Sequence, residues 1–148
     1  MLEELRALQT MSSLKPAERI LIYIGACMTD AIITGAEITS NKEVLSSLGQ
    51  NEIQQRHIIS AFEWFCGVRY PTLLAKFPII LDALFDAGLV DEEIFLMWAS
   101  DYARNEYSVS ESLISVDTLE LLKGYAEPFI TWLREAESEG DSSEEDES

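Results

Sequence analysis

Positive charge is nearly missing from the second half of this chain. Residues 82–148 hold 19 acids and 3 bases, residues 1–81 hold 8 acids and 7 bases, and the 148 residues together carry a formal charge of −17. That balance argues against a nucleic-acid backbone as the main partner, because such binding rests on clustered Lys and Arg. Cysteine is scarce too. Cys27 and Cys66 lie inside apolar runs with no Cys or His at ligand spacing, so neither a zinc site nor a disulfide framework is expected, and a reduced, intracellular chain is. The single histidine, His57, sits in an apolar helical stretch without an acid or cysteine partner, and no phosphate loop or nucleophile elbow occurs. Paired carboxylates carry no catalytic signal in so acidic a chain. No catalytic residue, metal ligand or cofactor is therefore expected. Long apolar runs are also missing: Ile20–Met28 is far too short to span a bilayer, and MLEELRALQT has acids where a targeting segment would need bases.

What is present is helical periodicity, with no strand-like alternation. Leu2, Leu5 and Leu8 mark a short first helix. Pro16 opens a second, to about Ile33, apolar nearly all round and ended by Gly35. Ser40 with Glu43 has the spacing of a capping box for a third helix ending at Gly49. A fourth helix is expected over 50–69, apolar on two stripes and stopped at Tyr70-Pro71, and a fifth over 73–87, broken at Pro78 and closed by Gly88. Asp91 should cap a sixth helix whose stripe is Ile94, Phe95, Trp98 and Tyr102, with Glu92 and Glu93 favourable in its first turn. After a polar loop around 105–115, Val116–Tyr125 and Pro128–Glu137 make either two last helices or one kinked at Pro128. The expected fold is all-α, an irregular solenoid of antiparallel helix pairs.

The last segment sets the organisation. Phe129–Leu133 is large and apolar except for Thr131 and must dock on the fold. From Glu135 onward eight of fourteen residues are acidic, and nothing there offsets the entropy of ordering the chain. The division expected is a helical domain over 1–137 and a disordered acidic tail over 138–148.

The stretch LDALFDAGLVDEEIFLMW, ending at Trp98, and the stretch AEPFITWLREAESEGDSSEEDES, opening at Ala126, resemble the C-terminal domain of eukaryotic translation initiation factor five. That family carries two aromatic and acidic boxes, each around a tryptophan. The matching positions are Asp91, Glu92, Glu93, Phe95 and Trp98 in the first and Glu127, Phe129, Trp132, Glu135 and Glu137 in the second; Asp86 just before the first box joins them as a candidate contact. The specific resemblance covers roughly the last 70 residues. It implies an atypical HEAT domain serving as a cytoplasmic, monomeric interaction hub of the translation preinitiation complex. The partners it implies are the lysine-rich segment of the beta subunit of initiation factor two, initiation factor one, the c subunit of factor three, and factor four G. The factor's own N-terminal part, a GTPase-activating domain with a four-cysteine zinc module, has no match in a chain with two cysteines, so an isolated binding domain rather than an enzyme is expected. The alternative is the guanine-nucleotide exchange domain of factor two-B epsilon, which resembles this one in fold and in its final box; a regulatory mimic sharing the domain is a third reading.

Charge and periodicity add their own expectations. Trp98 and Trp132 both fall on apolar stripes and read as core anchors, leaving the acids as contacts, with Glu92 and Glu93 equally able to serve as helix-capping charges. Ser138, Ser142 and Ser143 each have an acid three residues on, the pattern favoured by acid-directed kinases of the casein-kinase-two kind, and are candidate phosphorylation sites.

Overall fold

The computed structural model describes residues 16–108 and 113–147, the side chains of Pro16, Ala17, Ile33 and 137–147 excepted. The expected first helix lies outside them. Among the described residues every regular element is helical: α1 Pro16–Cys27, a 3₁₀ turn Asp30–Thr34, α2 Ala36–Ser40, α3 Lys42–Leu48, α4 Glu52–Trp64 with a π turn Phe65–Arg69 at its end, a 3₁₀ turn Pro71–Lys76, α5 Phe77–Asp86, α6 Glu92–Ser100 and α7 Val116–Glu147.

Local chemistry places most of the boundaries. Pro16 opens α1, but the helix ends at Cys27 rather than Ile33. Thr29 intervenes: its hydroxyl accepts from the Ala31 N–H, while the Glu37 carboxylate accepts from the Thr29 N–H at 2.8 Å and hydroxyl at 2.7 Å, fixing a separate turn. Gly35 and Gly88 take left-handed φ values of +81° and +71° and end their segments where glycine was expected to. Ser40 is the last residue of α2 and makes no capping box with Glu43; the N-cap of α3 is Asn41, without a side-chain cap bond. The capping exchange falls one element later. There the Asn51 side chain accepts from the Gln54 N–H at 2.9 Å and the Gln54 side chain accepts from the Gln50 N–H at 2.9 Å. Pro78 stands in the first turn of α5, where its missing N–H costs nothing, so the break expected there lies just ahead of Phe77. Asp91 is the N-cap of α6 but makes no side-chain cap bond; its N–H donates to the Gln55 side chain instead. Tyr102 lies beyond the end of α6 and is 88% exposed, not part of its apolar stripe.

Pro128 neither splits nor ends α7. The helix passes through it and runs on to Glu147, past residue 137, where the domain was expected to end. The helices share one core. α1 packs chiefly on α4 and α5 on α7, while α4 also meets α5 and α6, which puts it at the centre. Ile58, Ile59, Phe62 and Phe65, from α4 and its π turn, are fully buried.

Candidate interaction surface on α6 and α7

The aromatic half of each box faces inward. Phe95 of α6 and Phe129 of α7 meet edge to face at 5.1 Å, and Phe85 of α5 packs edge-on against Phe95, Phe129 and Trp132 at 6.3, 6.3 and 5.7 Å. Such contacts add to simple area burial because ring edges and faces carry opposite partial charge. They lock the two box segments side by side. Trp98 is 3% exposed and packs edge-on against Phe77 at 5.8 Å. Trp132 differs: it stacks on Phe129 with one face yet stays 49% exposed. Reading it as a second core anchor is thus corrected. On α7, Leu121, Tyr125, Pro128 and Trp132 follow a 4-3-4 spacing and are all exposed, an apolar stripe turned away from the core.

The acidic half faces outward. Asp86, Asp91, Glu93, Glu127 and Glu135 are exposed and Glu92 half-buried in the first turn of α6, whereas the Glu137 side chain and those of Ser138, Ser142 and Ser143 lie outside the described ones. Asp86 borders a cleft of about 610 Å³ beside the first 3₁₀ turn and α2, away from the second box, and helps hold the Asp82 carboxyl above its ordinary range, after burial itself.

Beneath this surface lies a polar network that no motif in the sequence announces. Lys123 of α7 donates to the Trp98 carbonyl and, at 3.0 Å, to the Asp101 carbonyl, placing a cation on the C-terminal end of α6, where the helix dipole favours one. The same ammonium sits 4.4 Å over the Trp98 ring. Arg56 of α4, 3% exposed, pairs with Asp101 and stacks 4.3 Å from the Tyr107 ring, which anchors the loop between α6 and α7. Glu63, fully buried on α4, faces the Trp98 indole N–H at a geometry short of a full hydrogen bond, and one of its oxygens has no partner. Burial pushes its carboxyl up to about 8, with Trp98, Lys123, Arg56 and Arg104 pulling the other way. Burial likewise holds Lys123 below its ordinary value against the opposing pull of Glu63 and Asp101. The available signal was Glu63 itself, an acid between Phe62 and Trp64 in an apolar helix.

Burial lowers His57, and burial pushes the Cys66 thiol up to about 12, leaving it protonated and inert.

Comparison with known proteins gives the family and the fold. The family described as "W2: eIF4-gamma/eIF5/eIF2-epsilon" matches residues 54–145, which include both boxes and the buried network. Eukaryotic translation initiation factor 5 of Mus musculus is 31% identical over 87 residues, covering 59% of this chain and 19% of that protein. The Zea mays protein of the same name is 29% identical over 109 residues (74% and 22%), and the Saccharomyces cerevisiae one 24% over 128 residues (86% and 30%). The chain thus spans about a fifth to a third of the length of these relatives. A solved structure, "The C-terminal Domain of Translation Initiation Factor 5 at low pH", superposes with a TM-score of 0.75 at 24% identity, covering 94% of this chain and 79% of that one, which fixes the fold as all-α and HEAT-like.

Proposed function

Because this chain belongs to the W2 family of translation initiation factor domains, we propose that it is a docking domain that binds lysine-rich segments of other initiation factors on the outer face of α6 and α7. The observation that carries this reading is Trp132, half-exposed on an apolar stripe with the exposed acid Glu135 one turn further along α7. An aromatic surface with an acidic border suits a partner that offers lysines and apolar side chains together. Candidate partners are the beta subunit of initiation factor two, factor one, the c subunit of factor three and factor four G, met by a monomer in the cytoplasm. Phe95, Trp98 and Phe129 act here from inside, holding the surface in shape. Nucleotide exchange of the two-B epsilon kind has less support, since the relatives named above are called factor 5.

A lysine-rich peptide is expected to bind at low salt and to lose most of its affinity by physiological salt, because 19 acids against 3 bases in residues 82–148 make charge attraction the main driving force and salt screens it. Titration calorimetry across that range checks this; an affinity that ignores salt overturns it. Changing Glu92 and Glu93 together to Gln should weaken the peptide without unfolding the protein, whereas loss of the fold would assign the pair to capping α6.

The acidic stretch from Ser138 we take as a solvated arm. Phosphates on Ser138, Ser142 and Ser143 would each add about −1.5 to −2 charges next to the docking face and speed association of basic partners. Stopped-flow rates with the modified and unmodified protein at two salt concentrations test this; equal rates at both reduce the arm to a spacer.

A further inference from the structure

Among the described residues, the buried polar and charged side chains are Arg56, Ser60 and Glu63, and all three belong to α4. Spacings of four and three put them on one face of that helix. It is the face turned to α6 and α7, since Arg56 pairs with Asp101 and Glu63 meets Trp98. Glu63 is left incomplete there. One of its carboxyl oxygens and the Trp98 indole N–H, both sealed from solvent, have no hydrogen-bond partner. A position that served packing alone would hold an apolar side chain, because an unpaired buried carboxylate is costly.

The neighbours of Glu63 decide what its ionisation does. Burial raises the carboxyl to about 8, and against burial pull the Trp98 N–H and three cations: Lys123 of α7, then Arg56 on the same helix and Arg104 in the loop after α6. Arg56 is committed to the Asp101 carboxylate and the Tyr107 ring, and Arg104 donates to the Ile114 carbonyl. Lys123 is placed differently. Its ammonium donates to the Trp98 and Asp101 carbonyls and lies 4.4 Å over the Trp98 ring, so it holds the end of α6 by neutral acceptors and shares one indole with Glu63. The acids acting on it are Glu63 and Asp101. An ammonium on a flexible four-carbon stem can exchange carbonyls for a carboxylate, whose charge-assisted bond is roughly twice as strong.

We propose that Glu63 and Lys123 form a proton-operated latch on the end of α6. With Glu63 protonated, Lys123 clamps the Trp98 and Asp101 carbonyls to α7. When Glu63 releases its proton to solvent, the Lys123 ammonium turns to the carboxylate and lets the two carbonyls go. The end of α6 then loosens together with the loop that carries the exposed Tyr102. The face formed by α6 and α7 therefore has two states exchanged by one proton, whatever docks there.

The test follows the whole, isotope-labelled chain by NMR between about pH 6 and 10. Its indole N–H signals come from Trp64, Trp98 and Trp132. The Trp98 signal should shift with a midpoint of about 8, and the carbonyl carbons of Trp98 and Asp101 should shift with the same midpoint as they lose the ammonium. Glu63→Gln should abolish all of these changes and hold the carbonyl signals at their low-pH positions. Lys123→Met keeps the apolar stem and removes the cation that acts most on Glu63. It should raise the indole midpoint by about one pH unit or more and leave the carbonyl signals without a transition. Carbonyl signals that stay constant while the indole titrates would show that Lys123 never moves. An indole that does not titrate, or titrates equally in Glu63→Gln, would show that Glu63 keeps one state. Either result overturns the latch. Should Lys123→Met fail to fold, the parent and Glu63→Gln decide alone, since the carbonyl signals either follow the indole or do not.

Discussion

Glu63→Gln is expected to make the protein more stable at neutral and mildly alkaline pH and to leave its stability unchanged near pH 4.5. The glutamate carboxyl ionises at about 4.5 in the unfolded chain and is pushed up to about 8 in the folded one, so between those values the folded state holds a proton that the unfolded state releases. Its contribution is complete below pH 4.5 and is lost as pH rises toward 8. Since one pK unit is worth about 1.4 kcal/mol, the loss over that window is about 4 to 5 kcal/mol at most, and about 3 kcal/mol of it has gone by pH 7. Glutamine keeps the shape of the protonated acid and has no proton to lose, so the two proteins should melt together in mild acid and separate as pH rises. Denaturant midpoints for both across this range give the answer. A glutamine variant less stable than its parent at pH 8 would mean that Glu63 is ionised and paired with Lys123 and Arg56 in the folded protein, so that pairing rather than burial governs its titration.

Trp98→Ala and Trp132→Ala should part company. Emptying the site of Trp98, 3% exposed and packed between Phe77 and Lys123, should cost about 3 to 5 kcal/mol, the range for removing a large aromatic side chain from a core. Binding of a lysine-rich peptide would then fail because the fold fails. Trp132 leaves 49% of its surface in solvent and keeps contacts on Phe85 and Phe129 only partly covered, so its removal should cost at most about 1 to 2 kcal/mol of stability. Its effect belongs to binding, where an exposed tryptophan at the centre of a contact typically carries about 2 kcal/mol or more, some thirtyfold in affinity. Melting curves and peptide titrations on the two variants separate these roles. Equal losses of melting temperature would return Trp132 to the core, and an unchanged peptide affinity in Trp132→Ala would move the docking face elsewhere.

The amino-acid sequence by itself determined the helical class, most helix boundaries and the charge asymmetry, because each of these follows from neighbours in the chain: apolar spacing, proline at an N-terminus, glycine after a C-terminus. It also carried the two box segments, whose residues are contiguous. It misplaced one cap, at Ser40 rather than Asn41, because Ser40 is used up as the last residue of α2, and it missed the side-chain cap that Asn51 gives α4. Only the tertiary structure decided which of two similar tryptophans lies inside. Both follow helical apolar spacing, but α6 is covered by α4, α5 and α7, while the outer face of α7 has nothing against it among the described residues. The buried network was likewise out of reach of the sequence. Arg56 and Asp101 are 45 residues apart, and Lys123 reaches the Trp98 carbonyl across 25, so no local spacing joins them. Periodicity tells which residues share a face of one helix; whether that face is covered, and which distant charge meets it there, is settled by how the helices pack.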